Sequence, residues 1–209
     1  MEVNLFLRGL GIGFCIAAPV GPIGVLCIRR TLADGRMAGL VSGLGAAVAD
    51  AIYGAIAAFG LTAISDTLVA QQTWLRLGGG VFLIFLGTKT FLALPAARST
   101  EDSARGLAGA FASTLGLTLT NPMTILSFAL VFAGLGFAGM PTNYTAASTM
   151  VLGVFVGSGV WWLLLSGGVG ILRNRFDAQR MRWVNRISGI LIAGFGFAAL
   201  ADLFRASMS

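Results

Sequence analysis

Two groups of residues in this sequence can do chemistry, and both sit where chemistry is costly. Asp50 stands in the middle of a long apolar stretch, with Tyr53 three residues later on the same helical face. A carboxylate at a bilayer centre costs about 2.5–3.5 kcal/mol on insertion scales, so it faces a cavity or a partner. It can exchange a proton, bind an ammonium group, or make a structural hydrogen bond or ion pair. The second group is a pair of backbone breaks. Pro19-Val20-Gly21-Pro22 interrupts one apolar run and Asn121-Pro122 another. Proline inside a helix removes a hydrogen bond and collides with an earlier carbonyl. A helix broken inside a membrane exposes a half-helix N-terminus, whose positive end attracts an anion such as an α-carboxylate. One such break reads as a kink; two at equivalent positions read as a site. Thr124, with Thr118, Thr120 and Ser127, makes the second break polar, so these groups bond to neighbouring helices or line a wet path. Lys89 can pair with Asp50, bind a carboxylate, or extend its amine to the membrane surface.

Other chemistries are excluded by what the sequence lacks. With no histidine, a serine–histidine arrangement cannot form. There is no Walker-type loop, no HExxH and no Cys/His cluster, so the sequence implies no enzyme, no metal and no cofactor. The Gly-x-Gly pieces at Gly9–Gly13 and Gly43–Gly45 lie in apolar runs without a βαβ context. Cys15 and Cys27 would be about 18 Å apart on one straight helix, too far to bridge, and read as packing residues.

The elements that must position these residues follow from hydropathy. Of 209 residues, 56% are hydrophobic and 11% charged, against roughly 25% charged in a soluble domain. Mean hydropathy is +0.88. Six apolar runs stand out, at residues 3–28, 37–64, 74–94, 107–137, 146–172 and 184–204. Each matches or exceeds the roughly 20 residues that cross a bilayer, and helices satisfy their backbone there. The net charge of +6 is spread between apolar runs, not over a solvated surface with interleaved aromatic residues, which argues against a nucleic-acid partner. Arg29, Arg30 and Arg36 follow the first run; Arg98 and Arg105 follow the third; Arg173, Arg175, Arg180, Arg182 and Arg186 follow the fifth. The positive-inside rule then puts these connections in the cytoplasm and both termini outside. The first run is too long and its start too weakly basic for a cleaved signal peptide.

The chain also repeats itself. Trp74, Gly80 and Gly87 match Trp183, Gly189 and Gly196 at one shared offset, and Gly43 and Gly60 match Gly153 and Gly170 at nearly the same one. Gly21-Pro22-Ile23-Gly24-Val25-Leu26 reads alongside Asn121-Pro122-Met123-Thr124-Ile125-Leu126. Three helices per half is an odd number, so the second half enters from the other side. The expected fold is therefore an all-α polytopic membrane protein of six transmembrane helices, built as two inverted three-helix repeats. It forms a single domain over residues 1–209, with halves at 1–94 and 107–209 and a polar linker between them. Gly35, Gly39 and Gly43 form a double GxxxG pattern, which suggests close helix packing within the subunit or in a homo-oligomer.

These residues carry a resemblance. Pro19-Val20-Gly21-Pro22 followed by Gly35, Gly39, Gly43, Gly45 and Asp50 is similar to the first half of the lysine-exporter (LysE/RhtB-type) translocators. Leu77-Gly78-Gly79 with Leu86-Gly87-Thr88-Lys89 resembles their third helix, and Asn121-Pro122 their fourth. The resemblance implies export of amino acids or related metabolites across a bacterial inner membrane, driven by the proton gradient or membrane potential. Its expected site is Pro19, Gly21, Pro22, Asp50, Tyr53, Lys89, Asn121, Pro122 and Thr124, with a small molecule and the lipid bilayer as partners. Met123, where the family often has a basic residue, and Ile23, where many members have a polar one, depart from the pattern. The rival expectations are an ion or metal transporter on the same scaffold, or a membrane scaffold that transports nothing. Too few intramembrane carboxylates stand against the first.

Overall fold

The computed structural model describes residues 2–19, 21–59, 71–93, 104–121, 124–125, 127–128, 144–173 and 178–206. Its helices are α1 (Glu2–Ala17), α2 (Pro22–Ala33), α3 (Arg36–Ala58), α4 (Gln72–Leu92), α5 (Ala104–Leu119), α6 (Tyr144–Leu172) and α7 (Ala178–Ala206). Three stretches are long and apolar enough to cross a membrane: Arg36–Ala58, Tyr144–Leu172 and Gln179–Ala201. The pair α1 and α2 makes a fourth if the bent pair is one span. Leu77–Leu92 and Gly106–Leu119 are apolar but shorter. Among the described residues, length and composition therefore account for up to four of the six expected crossings.

The first expected run is two helices. Ala18 N–H still donates to the Phe14 carbonyl at 2.9 Å, closing the last turn of α1. Gly21 is the extended N-cap of α2, and Pro22 follows inside its first turn. There its missing N–H is no loss, and its fixed φ suits a helix start. The two axes meet at 81°. Gly35 joins α2 to α3 and has the only positive φ among the described residues, +112°. A side chain there would be strained.

Packing divides the helices into two groups. α3 lies between α5 and α6, and α6 also carries α1. α4 packs chiefly on α7, and α2 touches both groups. Small residues set the closest approaches. A Cβ on Gly13 would lie 2.1 Å from the Val154 carbonyl oxygen, and one on Gly153 would lie 2.3 Å from that of Phe6. In the α4–α7 pair, Gly80 meets Gly196 and Gly87 meets Gly189. Rising numbers on one helix meet falling numbers on the other, so the two run antiparallel. Without a hydrophobic force between helices in lipid, such close backbone contact is what holds them together.

One expectation left open is resolved, and one needs correction. The GxxxG face is internal. A Cβ on Gly39 would strike Thr31, and one on Gly43 would strike Trp162. That face cannot join a second copy while it is filled by the chain itself. Arg30 is likewise not a solvated loop charge. It lies in the last turn of α2 and is buried, at 9% exposure. Its Nη1 donates to Ser42 Oγ at 2.9 Å, the Ala110 carbonyl at 3.0 Å and Thr114 Oγ1 at 2.9 Å; its Nη2 donates to Ser113 Oγ at 2.8 Å. Each of the three hydroxyls donates its own proton to a carbonyl of its own helix, which leaves a lone pair for the guanidinium. Neighbouring Arg29 is the surface cation, donating to Asn185 Oδ1 at 3.2 Å with Asp34 at 3.8 Å.

Candidate functional site

Both helix breaks open onto one cavity of about 460 Å³. From the first break come Ile16, Pro19, Gly21, Pro22 and Ile23; from the second come Leu117, Thr120, Asn121, Thr124 and Ser127. A further wall is made by Gly79, Gly80 and Leu83 of α4 with Phe195, Ala198 and Ala199 of α7. Gly79 lets this wall approach, since a Cβ on it would already lie 3.3 Å from the Thr120 carbonyl oxygen.

The two breaks are built alike. The Gly21 carbonyl accepts from Val25 N–H at 3.0 Å, and the Asn121 carbonyl accepts from Thr124 at 3.1 Å and Ile125 at 3.3 Å. Each residue therefore stands at the cap of a new helical turn, and each is followed by proline in the sequence. Glycine and asparagine are both accepted caps. The cavity thus touches two helix starts, at Gly21 and Asn121, and the last turns of α1 and α5 through Ile16 and Leu117. Helix starts carry partial positive charge and helix ends partial negative charge. A zwitterion finds both signs in one place.

The expected site residues separate into those that line the cavity and those that do not. Pro19, Gly21, Pro22, Asn121 and Thr124 line it together. Pro122 and Met123 lie outside the described residues. Asp50, Tyr53 and Lys89 are not part of the lining. Asp50 is buried, at 3% exposure, in the seam between α3 and α6. Its Oδ2 accepts from the Ser158 hydroxyl at 2.7 Å, and Ser158 Oγ in turn accepts from Trp162 Nε1 at 3.2 Å. Tyr53 lies one turn further along, and its hydroxyl donates to the Leu119 carbonyl. That carbonyl is at the end of α5, where the helix has no further N–H to offer it. Tyr53 therefore supports the second break without entering the cavity. The Lys89 side chain is exposed in the last turn of α4. Sequence reasoning did not find the α4–α7 wall, although Gly80 already stood out in the repeat. It also missed Arg30 as a buried group. Among the described residues, no group of three or more His, Cys, Asp or Glu could hold a metal ion.

A family model described as LysE type translocator matches residues 14–203. The chain belongs to this family. The match includes both breaks and every cavity residue named above. The chain is 28% identical over 204 residues to "Putative amino acid efflux protein YcgF" of Bacillus subtilis (strain 168), covering 93% of the chain and 94% of that relative. It is 26% identical over 205 residues to the leucine efflux protein of Klebsiella pneumoniae, covering 96% of each. It is 25% identical over 185 residues to the threonine efflux protein of Escherichia coli (strain K12), covering 84% of the chain and 87% of that relative. No solved structure matches. Membership makes the chain one of a family of membrane translocators, and its long apolar helices agree with that.

Proposed function

We propose that this chain is a secondary active exporter of amino acids in the bacterial inner membrane and that the 460 Å³ cavity is its substrate site. The carrying observation is that two proline-marked helix breaks, from the two halves of the chain, line the same cavity. The N–H groups in the first turn of α2, beside Gly21, take the α-carboxylate. The carbonyl end of α1 takes the α-ammonium, since the last carbonyls of α5 already accept from Thr120, Asn121 and Tyr53. Such paired half-helix ends at a repeat interface are how many secondary transporters hold small ions and zwitterions. The amino-acid efflux relatives support the same substrate class. Asp50 is assigned the coupling proton, because it lies one helical turn from Tyr53, which bonds to the second break.

The full architecture belongs to this reading: six crossings in two inverted halves, both termini outside. Glycine contacts support it. The sequence match pairs Gly80 with Gly189 and Gly87 with Gly196. Exchanging the halves therefore turns the Gly80–Gly196 contact into the Gly189–Gly87 contact, and both are present. A pseudo-two-fold axis through the α4–α7 pair has this signature.

The test is efflux from proteoliposomes loaded with a panel of amino acids, with and without an imposed proton gradient. Gradient-stimulated efflux of at least one amino acid is expected. Asp50→Asn is expected to abolish it in protein that remains folded; unchanged efflux in that variant would remove Asp50 from the mechanism.

A further inference from the structure

The geometry points to a restricted substrate class: the exported amino acid carries an uncharged, aliphatic side chain, and that side chain lies against the α4–α7 wall. This inference rests on the exporter reading above and narrows it. The cavity is divided in character. Its polar side chains, Thr120, Asn121, Thr124 and Ser127, all come from the second break. The rest of the lining is largely apolar: Leu83 and Phe195 with the small Ala198 and Ala199, and Ile16 and Ile23 at the first break. No charged side chain lines the cavity among the described residues. The side chain of a substrate held by its α-groups at the first break lies against this apolar lining. A lysine, arginine, aspartate or glutamate side chain would lose water there and find no counter-charge. Burial of such a charge is strongly disfavoured without a partner. Aliphatic side chains instead gain from each methylene that leaves water.

The wall also implies a size limit. Ala199 is the small residue beside Phe195 on the next turn of α7, and it keeps part of the cavity open. Pockets discriminate a single methylene by roughly 10- to 200-fold. Ala199→Leu adds three carbons to the wall and is expected to lower leucine transport relative to alanine transport by at least about tenfold. Leu83→Thr, a second variant, is expected to narrow the preference for leucine over threonine without filling the cavity.

The experiment uses the full chain in proteoliposomes loaded separately with alanine, valine, leucine, isoleucine, threonine, lysine and glutamate. The expected result is efflux of the four aliphatic amino acids at least about tenfold faster than lysine or glutamate, with the ratio changes above in the variants. Lysine or glutamate efflux at the aliphatic rate would overturn the inference and leave the exporter reading standing. Efflux of none of the seven would overturn the exporter reading itself. If wild-type protein prefers aliphatics but neither Ala199→Leu nor Leu83→Thr moves its ratio, the wall does not select the side chain and the inference fails.

Discussion

The buried Arg30 cluster makes a prediction whose size follows from hydrogen-bond geometry. Ser113 Oγ is the acceptor of Arg30 Nη2 at 2.8 Å, and its own proton goes to the Gly109 carbonyl at 2.7 Å. Ser113→Ala removes the acceptor of this half-buried guanidinium N–H. A hydrogen bond to a charged group is worth about 1.5–3 kcal/mol, so the variant should lose about that much stability. In an Arg30→Met background the same change removes only a hydroxyl that served its own helix, and should cost less than about 0.5 kcal/mol. Arg30→Met alone should be tolerated, because exchanging a buried charge for an apolar side chain of similar length is often neutral. The double-mutant coupling is thus about 1–3 kcal/mol. Thr114→Val should cost less than Ser113→Ala, since Nη1 keeps Ser42 and the Ala110 carbonyl. The assay is reversible SDS unfolding in mixed micelles followed by helical circular dichroism. Additive costs, equal in the two backgrounds within about 0.5 kcal/mol, would refute the reasoning.

Three further outcomes are expected. Tyr53→Phe leaves the Leu119 carbonyl without its donor and should cost about 1–3 kcal/mol, with slower efflux; unchanged unfolding and efflux would detach Tyr53 from the break. Gly153→Ala drives a Cβ into the Phe6 carbonyl oxygen and should destabilise by about 1–3 kcal/mol, whereas Gly11→Ala meets nothing within 4 Å and should be neutral or slightly stabilising; micelle unfolding compares the two. Cys27 is fully buried and Cys15 is exposed, so maleimide labelling of Cys27 should require SDS, and labelling in the native state would contradict its burial.

The breaks were legible in the sequence because proline acts locally. Its missing N–H and fixed φ end a helix wherever the surrounding residues fold, so Pro19, Gly21, Pro22 and Asn121 could be placed at interruptions before any packing was known. The α4–α7 wall was not legible for the opposite reason. Leu83, Phe195 and Ala199 are ordinary apolar residues of membrane helices, and sequence alone does not say whether they face lipid or a cavity. Arg30 misled because an arginine after an apolar run looks like a loop charge. Its acceptors Ser42, Ser113 and Thr114 come from two other helices and have no sequence signature that ties them to it.

The same distinction applies to Asp50, and there the structure joins two features that looked separate. The sequence required a partner for a carboxylate in an apolar helix but gave no reason to choose Ser158. The choice follows from Gly43. Its missing side chain leaves the space that the Trp162 ring fills, since a Cβ there would lie 2.3 Å from Trp162 Cβ. Trp162 so placed donates its indole N–H to Ser158 one turn earlier, and that bond turns the Ser158 hydroxyl proton toward Asp50. The glycine stripe is therefore the packing condition for the hydrogen-bond chain that ends on the buried carboxyl. A larger residue at position 43 would displace Trp162, release Ser158 and alter Asp50, even though neither residue 43 nor Trp162 touches the carboxyl itself.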